Sequence, residues 1–248
     1  MTFPSHWQTT SESGRLNLAL GEVHVWRASL ALDAARLASF WQTLSPDEQA
    51  KAERFHTATD RDRYIGAHGT LRALVSRYLQ VPAPDLTFNL SPFGKPSLQL
   101  REGMADLRFN ISHAHQLVLL AFAPDREVGV DVEYIRRPVR DDQLAERFFA
   151  PAEVAAIRSE PAASQCEAFF RCWTRKEAYV KARGRGLSIG LASFTVSISS
   201  AASTNLVLST EADTGDGPWS LRALVPGPDY VGAVAAAGED WSPALWQW

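Results

Sequence analysis

The chain has 248 residues, of which 46% are hydrophobic and 21% are charged, a balance typical of a globular protein with a buried core. Its formal net charge of -3 excludes a global basic surface for nucleic acid, so any anion site must be a local cluster. No apolar run approaches the roughly 20 residues of a membrane span, and the first residues lack the apolar region of a signal peptide. We therefore expect a cytoplasmic protein with neither a membrane nor a nucleic-acid partner.

The first half of the chain carries signals for strands and helices. Ser45 suits a helix N-cap, Pro46 suits the first helical position, and Glu48 completes a capping box. Apolar residues then recur at helical spacing along a longer segment that ends near Leu79. In chain order, the predicted elements are a strand at 23–26, helices at 33–44, 45–55 and 60–79, and a strand at 117–123.

The second half repeats this order. Residues 149–153, FAPAE, resemble residues 44–48, LSPDE, and a short helix followed by a longer one is predicted after each. Gly184 and Gly186 suit the end of the second long helix. The predicted elements are a strand at 127–135, a long helix at 164–183, and strands at 194–198, 219–225 and 231–236. We therefore predict two similar α+β halves, residues 1–124 and 125–248, joined near Pro124.

The two cysteines, Cys166 and Cys172, lie in the second long helix. Six residues of helix rise roughly 9 Å, which is too far for a disulfide. Their spacing matches neither a CxxC redox pair nor a zinc motif. Both cysteines are therefore predicted to be reduced and structural.

The segment VGVDVE at residues 128–133 is the most informative part of the sequence. In a strand, side chains alternate between faces, so Asp131 and Glu133 would share one face roughly 7 Å apart. Two unpaired carboxylates repel each other, and a hard divalent cation would reverse that cost, since Mg²⁺ prefers carboxylate oxygen, water and substrate phosphate. A sheet with one solvated acidic face explains the segment equally well.

A second candidate lies in the long helix at residues 170–181, FRCWTRKEAYVK. Glu177 and Lys181 are four residues apart and share a helical face. By itself, an ordinary exposed ion pair accounts for this spacing. Beside a metal, Glu177 could instead supply a third carboxylate, and Lys181 could bind a phosphate.

A third candidate is the segment FNISHAH at residues 109–115. Its two histidines give weak support for zinc, because no Cys or acidic residue stands at a familiar spacing. His113 follows Ser112 at a strand start and could contact a phosphate, and a purely structural role is an equal alternative.

The basic residues are scattered along the chain. Those that could gather into an anion pocket are Lys51, Arg63, Arg72 and Lys95. Arg136, Arg137 and Arg140 follow the acidic strand and could meet an acidic partner. A solvated loop is the alternative interpretation of that cluster.

Taken together, these segments resemble the 4′-phosphopantetheinyl transferase superfamily, in its two-lobed, surfactin-synthetase-activating form. The acidic motif at 129–133 (GVDVE) and the helix motif at 173–178 (WTRKEA), with Lys181 following, match two signatures of that family. Residues 93–96 (FGKP), 110–113 (NISH) and 184–187 (GRGL) match three more in the expected order. The resemblance runs from about Leu44 to Phe194, and five motifs in order outweigh the alternatives given above.

The resemblance implies two pseudo-symmetric α+β lobes in one chain, each a small, mainly antiparallel sheet packed with helices, with coenzyme A in the cleft between them. It implies that Asp131, Glu133 and Glu177 hold Mg²⁺, or Mn²⁺ in its place, against the coenzyme A pyrophosphate. It implies that Lys181 and His113 contact the pyrophosphate and that Ser112 also binds coenzyme A. The residues implied at the 3′-phosphate end are Lys51, Arg63, Lys95 and Pro96. Position 48 departs from the family, since some relatives carry a basic residue where this chain has Glu48.

The implied reaction transfers the 4′-phosphopantetheine arm of coenzyme A to a serine of an apo acyl, peptidyl or aryl carrier protein and releases 3′,5′-ADP. Glu177 is the candidate base for the serine hydroxyl. Lys181 would stabilise the leaving phosphate, with His113 beside it. We expect a monomer, because two lobes in one chain already complete the cleft.

Two other classes of function compete with this prediction. A Mg²⁺-dependent phosphohydrolase would use the same acidic strand but would need no protein acceptor. A non-catalytic module that binds coenzyme A or a carrier could lose one of Asp131, Glu133 or Glu177. All three are present, which favours catalysis.

Overall fold

A computed structural model of the chain describes residues 6–10, 14–99, 106–135, 141–199 and 218–248. Its helices are α1 (Ala34–Trp41), α2 (Pro46–Glu53), α3 (Ala58–Leu79), α4 (Asp141–Phe148), α5 (Pro151–Ser159) and α6 (Ala162–Arg183). Its strands are β1 (Gln8–Thr9), β2 (Glu22–Ser29), β3 (Phe88–Leu90), β4 (Pro96–Leu98), β5 (Arg108–Ala114), β6 (Leu117–Ala123), β7 (Val128–Tyr134), β8 (Trp219–Leu224), β9 (Tyr230–Ala237) and β10 (Ser242–Gln247). None of the helices in these ranges combines the length and apolar character that crossing a membrane requires.

The largest sheet is built mainly from the first half of the chain, in the order β1-β10-β2-β6-β5. β2, β6 and β5 pair antiparallel, whereas β10 lies parallel to both β1 and β2. α3 covers one face of this sheet, and the core between them includes Trp26, Leu71 and Phe122. The strand β10 from the end of the described chain is therefore built into the sheet of the first lobe.

The second half forms a three-stranded antiparallel sheet in the order β7-β9-β8. α6 packs across β7 and β9, and its core includes Phe169 and Tyr179 of the helix with Leu221 of β8. α3 and α6 hold equivalent places in the two lobes, and each runs for 22 residues. The predicted α+β class, with small sheets packed with helices, is thus confirmed.

A further apolar cluster joins the two lobes. It brings Val128, Val130 and Val132 of β7 together with Val25 of β2 and Leu119 of β6. The alternation predicted for this strand is confirmed, since its valines form one buried face. The opposite face of β7 is left to meet α6.

An ion pair recurs in both lobes and supports the predicted repeat. Glu48 at the start of α2 accepts from the amide of its own N-cap residue at 2.9 Å and binds the buried Arg72 of α3 at 2.7 Å. Glu153 at the start of α5 accepts from its N-cap amide at 2.9 Å and binds the buried Lys176 of α6 at 2.8 Å. In each lobe, therefore, the short helix is fixed to the long helix by a carboxylate at the same position.

Glu48 thus has a structural reason to depart from the family pattern. Burial alone would raise the pKa of its carboxyl, but hydrogen bonds from His68 and the Ser45 amide, with the charge of Arg72, outweigh it and lower the pKa to about 2. Arg72 also donates to the carbonyls of Ala83 and Leu86. A basic residue at position 48 would leave this buried arginine without its counter-charge.

The strand predicted at residues 194–198 is wrong. The Val196 amide donates to Glu153 at 2.6 Å, and the Phe194 carbonyl accepts from Lys176 at 2.5 Å. Two arginines of α6 bind carbonyls further along the segment. Because side chains satisfy the backbone groups that a ladder would use, the segment runs beside α6 without joining the sheet.

The other predicted elements are found with small shifts at their ends, which is usual for helix and strand boundaries. β1, the β3–β4 hairpin, β5, α4 and β10 were not predicted, and Ser112 and His113, expected at a strand start, lie near the end of β5. Pro243 lies inside β10. Because proline cannot donate a ladder hydrogen bond, its presence in the sequence argues against a central strand. Cys166 and Cys172 are confirmed as free thiols on α6.

The low pKa of Glu48 predicts a pH-dependent loss of stability. A carboxyl with a depressed pKa stabilises the fold above its ordinary pKa, here 4.5, and that contribution disappears as the pH falls toward about 2. Glu48→Gln should therefore lower the free energy of unfolding at pH 7 by about 3 kcal/mol. The difference from wild type should shrink between pH 4.5 and pH 2, as measured by urea denaturation.

Glu53→Gln is the matched control, because Glu53 lies on the same helix and is exposed. It should change stability by less than about 0.5 kcal/mol. A Glu48→Gln protein as stable as this control at pH 7 would show that the buried pair contributes nothing to the fold.

Candidate active site between the lobes

The site begins with the contact between β7 and α6. A Cβ added at Gly129 would stand 2.1 Å from the Ala178 carbonyl oxygen and 2.3 Å from the Ala182 amide nitrogen. Any side chain at position 129 would therefore push the helix off the strand. Because side chains alternate along β7, Asp131 and Glu133 lie on the same face as Gly129, toward α6.

Asp131 is the centre of a hydrogen-bonded group that joins three elements. Its Oδ1 accepts from the Lys181 ammonium of α6 at 2.6 Å and from the Ser112 hydroxyl of β5 at 2.8 Å. Lys181 also donates to Ser112 Oγ at 2.9 Å. Asp131 is buried, and within the described part of the chain its Oδ2 has no hydrogen-bond partner. A buried acceptor without a partner is costly, and a bound cation would remove that cost.

Side chains of β5 make the seam between the lobes. β5 and β7 belong to different sheets, although they lie side by side. Asn110 Oδ1 accepts from the Val130 amide at 2.9 Å, and Ser112 binds Asp131. The NISH segment therefore fixes the first lobe against the acidic strand as well as contributing to the site.

Glu177 lies one helical turn before Lys181 on α6. Burial and the negative charge of Asp131 raise the pKa of the Glu177 carboxyl, against the opposing charge of Lys181. A carboxyl with a raised pKa is a better proton acceptor than an ordinary one. The shift also means that Asp131 and Glu177 repel each other across the space between β7 and α6.

The three predicted metal ligands differ in their surroundings. Asp131 is buried, whereas Glu133 and Glu177 are half-buried. Across the described ranges, no three His, Cys, Asp or Glu side chains form a preassembled metal cluster. Mg²⁺ often uses one or two protein carboxylates and completes its shell with water and substrate phosphate. The unsatisfied Oδ2 of Asp131 and its repulsion with Glu177 fit a divalent cation there.

A cavity of about 320 Å³ opens beside Glu177 and is lined by both lobes. Glu177 and Lys181 of α6 contribute from the second lobe. Lys51 of α2, with Lys95 and Pro96 of the β3–β4 hairpin, contributes from the first. The structure thus brings together five of the residues predicted for the site. Glu48 is not among the residues that line this cavity.

A second cavity, of about 520 Å³, is lined by His113, Arg63 and Glu133, with aromatic side chains from α6. Arg63 was predicted beside Lys51 at one end of coenzyme A, but the two residues line different cavities. Arg63 forms an ion pair with Asp60 at 3.3 Å. The predicted site residues therefore divide between the linings of two cavities. The buried Ser112 and Asp131 line neither cavity.

His113 lies on β5 and lines the second cavity. Desolvation within the cleft, with the positive charges of His68, Lys181 and Arg63, lowers the pKa of His113 below its ordinary value. A histidine in this state is mainly neutral at pH 7. Its ring can then donate one hydrogen bond and accept another.

Sequence reasoning missed several residues that shape the site. Gly129 was part of a motif, but its packing role was not predicted, although glycine inside a strand is a known sign of close backbone approach. No local pattern marks Asn110 as the residue that binds β7. The predicted partner loop with Arg136, Arg137 and Arg140 lies outside the described residues.

Two family models match the chain and between them span most of it. The model of the 4′-phosphopantetheinyl transferase superfamily matches residues 127–235. The model described as 4′-phosphopantetheinyl transferase, N-terminal, matches residues 26–125. The two matched segments adjoin in the turn between β6 and β7.

Curated proteins of the same description are similar to the chain over most of its length. The 4′-phosphopantetheinyl transferase HetI of Nostoc sp. is 37% identical over 233 residues, which cover 94% of this chain and 95% of the relative. The 4′-phosphopantetheinyl transferase Sfp of Bacillus subtilis is 29% identical over 201 residues, which cover 81% of this chain and 85% of the relative.

The contact at Gly129 predicts that its substitution is severely destabilising. Gly129→Ala should lower the free energy of unfolding by about 3 kcal/mol or more, because its Cβ would meet backbone atoms that cannot rotate away. Gly190→Ala is the matched control, since a Cβ at Gly190 meets nothing within 4 Å. The control should be neutral or slightly stabilising. Equal urea midpoints for the two variants would contradict the proposed close contact.

Proposed function

The chain belongs to the 4′-phosphopantetheinyl transferase superfamily and is an enzyme of that class, and from this premise we propose the reaction that it catalyses. It transfers the 4′-phosphopantetheine moiety of coenzyme A to a serine of an apo acyl or peptidyl carrier protein. The reaction requires Mg²⁺ and releases 3′,5′-ADP. The match to named transferases along nearly the whole chain supports the transfer.

One observation supports the chemical details most directly. The buried Asp131 has one oxygen bound by Lys181 and Ser112 and the other without a partner in the described structure. This incomplete group adjoins a cavity lined by both lobes. The Asp131 carboxylate suits a divalent cation, and the Lys181 ammonium beside it suits the phosphates of a substrate that binds together with that cation.

The metal would be held by Asp131, Glu133 and Glu177, with Mn²⁺ as a substitute for Mg²⁺. When bound, it neutralises the charge of the pyrophosphate and of the transition state. The remaining contributions come from side chains of the protein. These side chains position the two substrates and handle the proton of the carrier serine.

In the proposed step, the serine oxygen forms a bond to the β-phosphorus of coenzyme A. The bond from that phosphorus to the bridging oxygen breaks, and 3′,5′-ADP leaves with the electron pair. Glu177 accepts the serine proton, directly or through a water molecule, consistent with its raised pKa. Lys181 donates to the leaving phosphate, and neutral His113 donates to the pyrophosphate.

Coenzyme A would occupy the cleft with its nucleotide between the lobes. Lys51 and Pro96 line the cavity that also holds Lys181, which supports their assignment to the 3′-phosphate end. Lys95 lines the same cavity. Arg63 would reach the substrate from the neighbouring cavity. Ser112 lies beside the pyrophosphate position through its bonds to Lys181 and Asp131.

The protein partner would be an apo carrier domain, which is generally an acidic helical bundle. Arg136, Arg137 and Arg140 remain the proposed basic contact for it, because opposite charges favour and orient such an encounter. The enzyme would act in the cytoplasm as a monomer.

The first experiment combines the purified protein with coenzyme A, Mg²⁺ and an apo carrier protein, and measures the intact mass of the carrier. We expect the carrier to gain the mass of one phosphopantetheine arm, and EDTA to abolish the gain. Coenzyme A that is cleaved while the carrier stays unmodified would favour a phosphohydrolase and overturn the proposal.

A Glu177→Gln variant tests the proposed base in the same assay. Its kcat should fall at least 100-fold, the lower range for loss of a general base, while its unfolding temperature stays near that of wild type. Glu167→Gln is the matched control on the same helix, because Glu167 is an exposed residue paired with Arg171. Near-normal turnover of Glu177→Gln would exclude Glu177 as the base.

A further inference from the structure

We propose that Lys95 is a positioning residue, whose ammonium fixes the β3–β4 hairpin against the ends of β7 and α6. In this role Lys95 holds the hairpin at a fixed distance from β7 and α6, and it does not bind a substrate phosphate. The inference rests on the proposed function, since it concerns the same coenzyme A cavity. It replaces the 3′-phosphate contact that the resemblance implied for Lys95, although Lys95 still lines that cavity.

The Lys95 ammonium is fully occupied by the protein. It donates to Glu127 Oε2 at 2.7 Å, to the Ala182 carbonyl at 2.9 Å and to the Val128 carbonyl at 3.3 Å. A lysine ammonium has three N–H donors, so these contacts use them all. The side chain is only 16% exposed. A substrate phosphate could bind this ammonium only by displacing one of the three acceptors.

The acceptors belong to the two elements that carry the active-site charges. Val128 begins β7, three residues before Asp131, and Ala182 directly follows Lys181 on α6. The Ala182 carbonyl lies in the last turn of α6, where carbonyls lack helical partners and a cation is favourable. One side chain from the first lobe therefore binds the strand and the helix of the second lobe close to their charged residues.

Among the described residues, the hairpin that carries Lys95 forms no ladder with either larger sheet. Its loop is closed by its own backbone, with the Gly94 amide bonded to the Ser91 carbonyl at 2.8 Å. The loop rests on the turn after α6, where a Cβ at Gly186 would stand 3.2 Å from Phe93 and one at Gly184 would stand 3.3 Å from Lys95 Cδ. The GRGL motif thus gives the hairpin room to dock, and Lys95 bonds it in place.

Dephospho-coenzyme A, which lacks the 3′-phosphate, separates positioning from direct contact. In Lys95→Met, kcat for transfer from coenzyme A should fall at least tenfold, because a misplacement of about 1 Å can cost 100-fold. The dissociation constants of coenzyme A and dephospho-coenzyme A should change by the same factor. A weakening confined to coenzyme A would overturn the proposal and make Lys95 a 3′-phosphate ligand. An unchanged kcat would also overturn it.

Glu127→Ala provides a second variant, since Glu127 is a half-exposed partner of Lys95 and its loss should leave the fold intact. Its kcat should fall, and the double variant should lose no more than Lys95→Met alone, because both changes break one interaction. Arg108→Ala is the control. Arg108 binds the same Glu127 at 3.1 Å and should keep kcat within twofold of wild type.

Multiplicative losses in the double variant, or an Arg108→Ala loss equal to that of Lys95→Met, would overturn the proposal. Unfolding temperatures of every variant show which losses of rate reflect unfolding. The wild-type protein tests the proposed function separately. Its failure to modify any carrier would refute the transferase reaction, whereas wild-type transfer with an unaffected Lys95→Met variant would refute the positioning role alone.

Discussion

The close approach of α6 to β7 is the constraint on which the rest of the site depends. Gly129 lets the helix backbone lie directly on the strand, and the same face of the strand then presents Asp131 to Lys181. The first lobe enters this contact from its other side, through Ser112 and Asn110 of β5. Backbone packing of the second lobe and side-chain bonding across the lobes therefore converge at one carboxylate. Since backbone contacts yield little to strain, the charged groups are held at a nearly fixed spacing before any substrate arrives.

The buried charges of this protein fall into two classes that differ in how fully they are bonded. Glu153 and Lys176 satisfy each other and nearby backbone groups, so that they rigidify the second lobe without offering a binding site. Glu48 and Arg72 do the same in the first lobe. Asp131 is different, because one of its oxygens is bonded and the other is not in the described structure. Buried charges whose hydrogen bonds are all satisfied therefore stabilise the fold, whereas the buried carboxylate with one unbonded oxygen favours ligand binding.

Much of the fold followed from local patterns, and two of the exceptions, residues 194–198 and β10, involve contacts distant in sequence. Capping signals and helical periodicity were enough for α2 and α3, because neighbouring residues determine them. Residues 194–198 have the composition of a strand, yet side chains of α5 and α6 bind their backbone first. The motifs identified the acidic strand and Glu177, but no pattern indicated that Arg63 and Lys51 would line separate cavities. Position in a motif predicts chemistry well, whereas the partner of each side chain depends on tertiary packing.

The place of β10 in the first-lobe sheet affects the order in which the chain can fold during synthesis. β10 lies between β1 and β2 and is the only strand in the described structure that pairs with β1. One edge of β2 therefore lacks its neighbour until β10, more than 200 residues later in the chain, has left the ribosome. An unpaired edge strand is open to association with other chains. Closing the sheet also joins residues more than 200 positions apart, a non-local pairing of the kind that slows folding. Completion of the first lobe is thus coupled to the second, and the nascent chain acquires its native first-lobe sheet only after the second lobe has been synthesised.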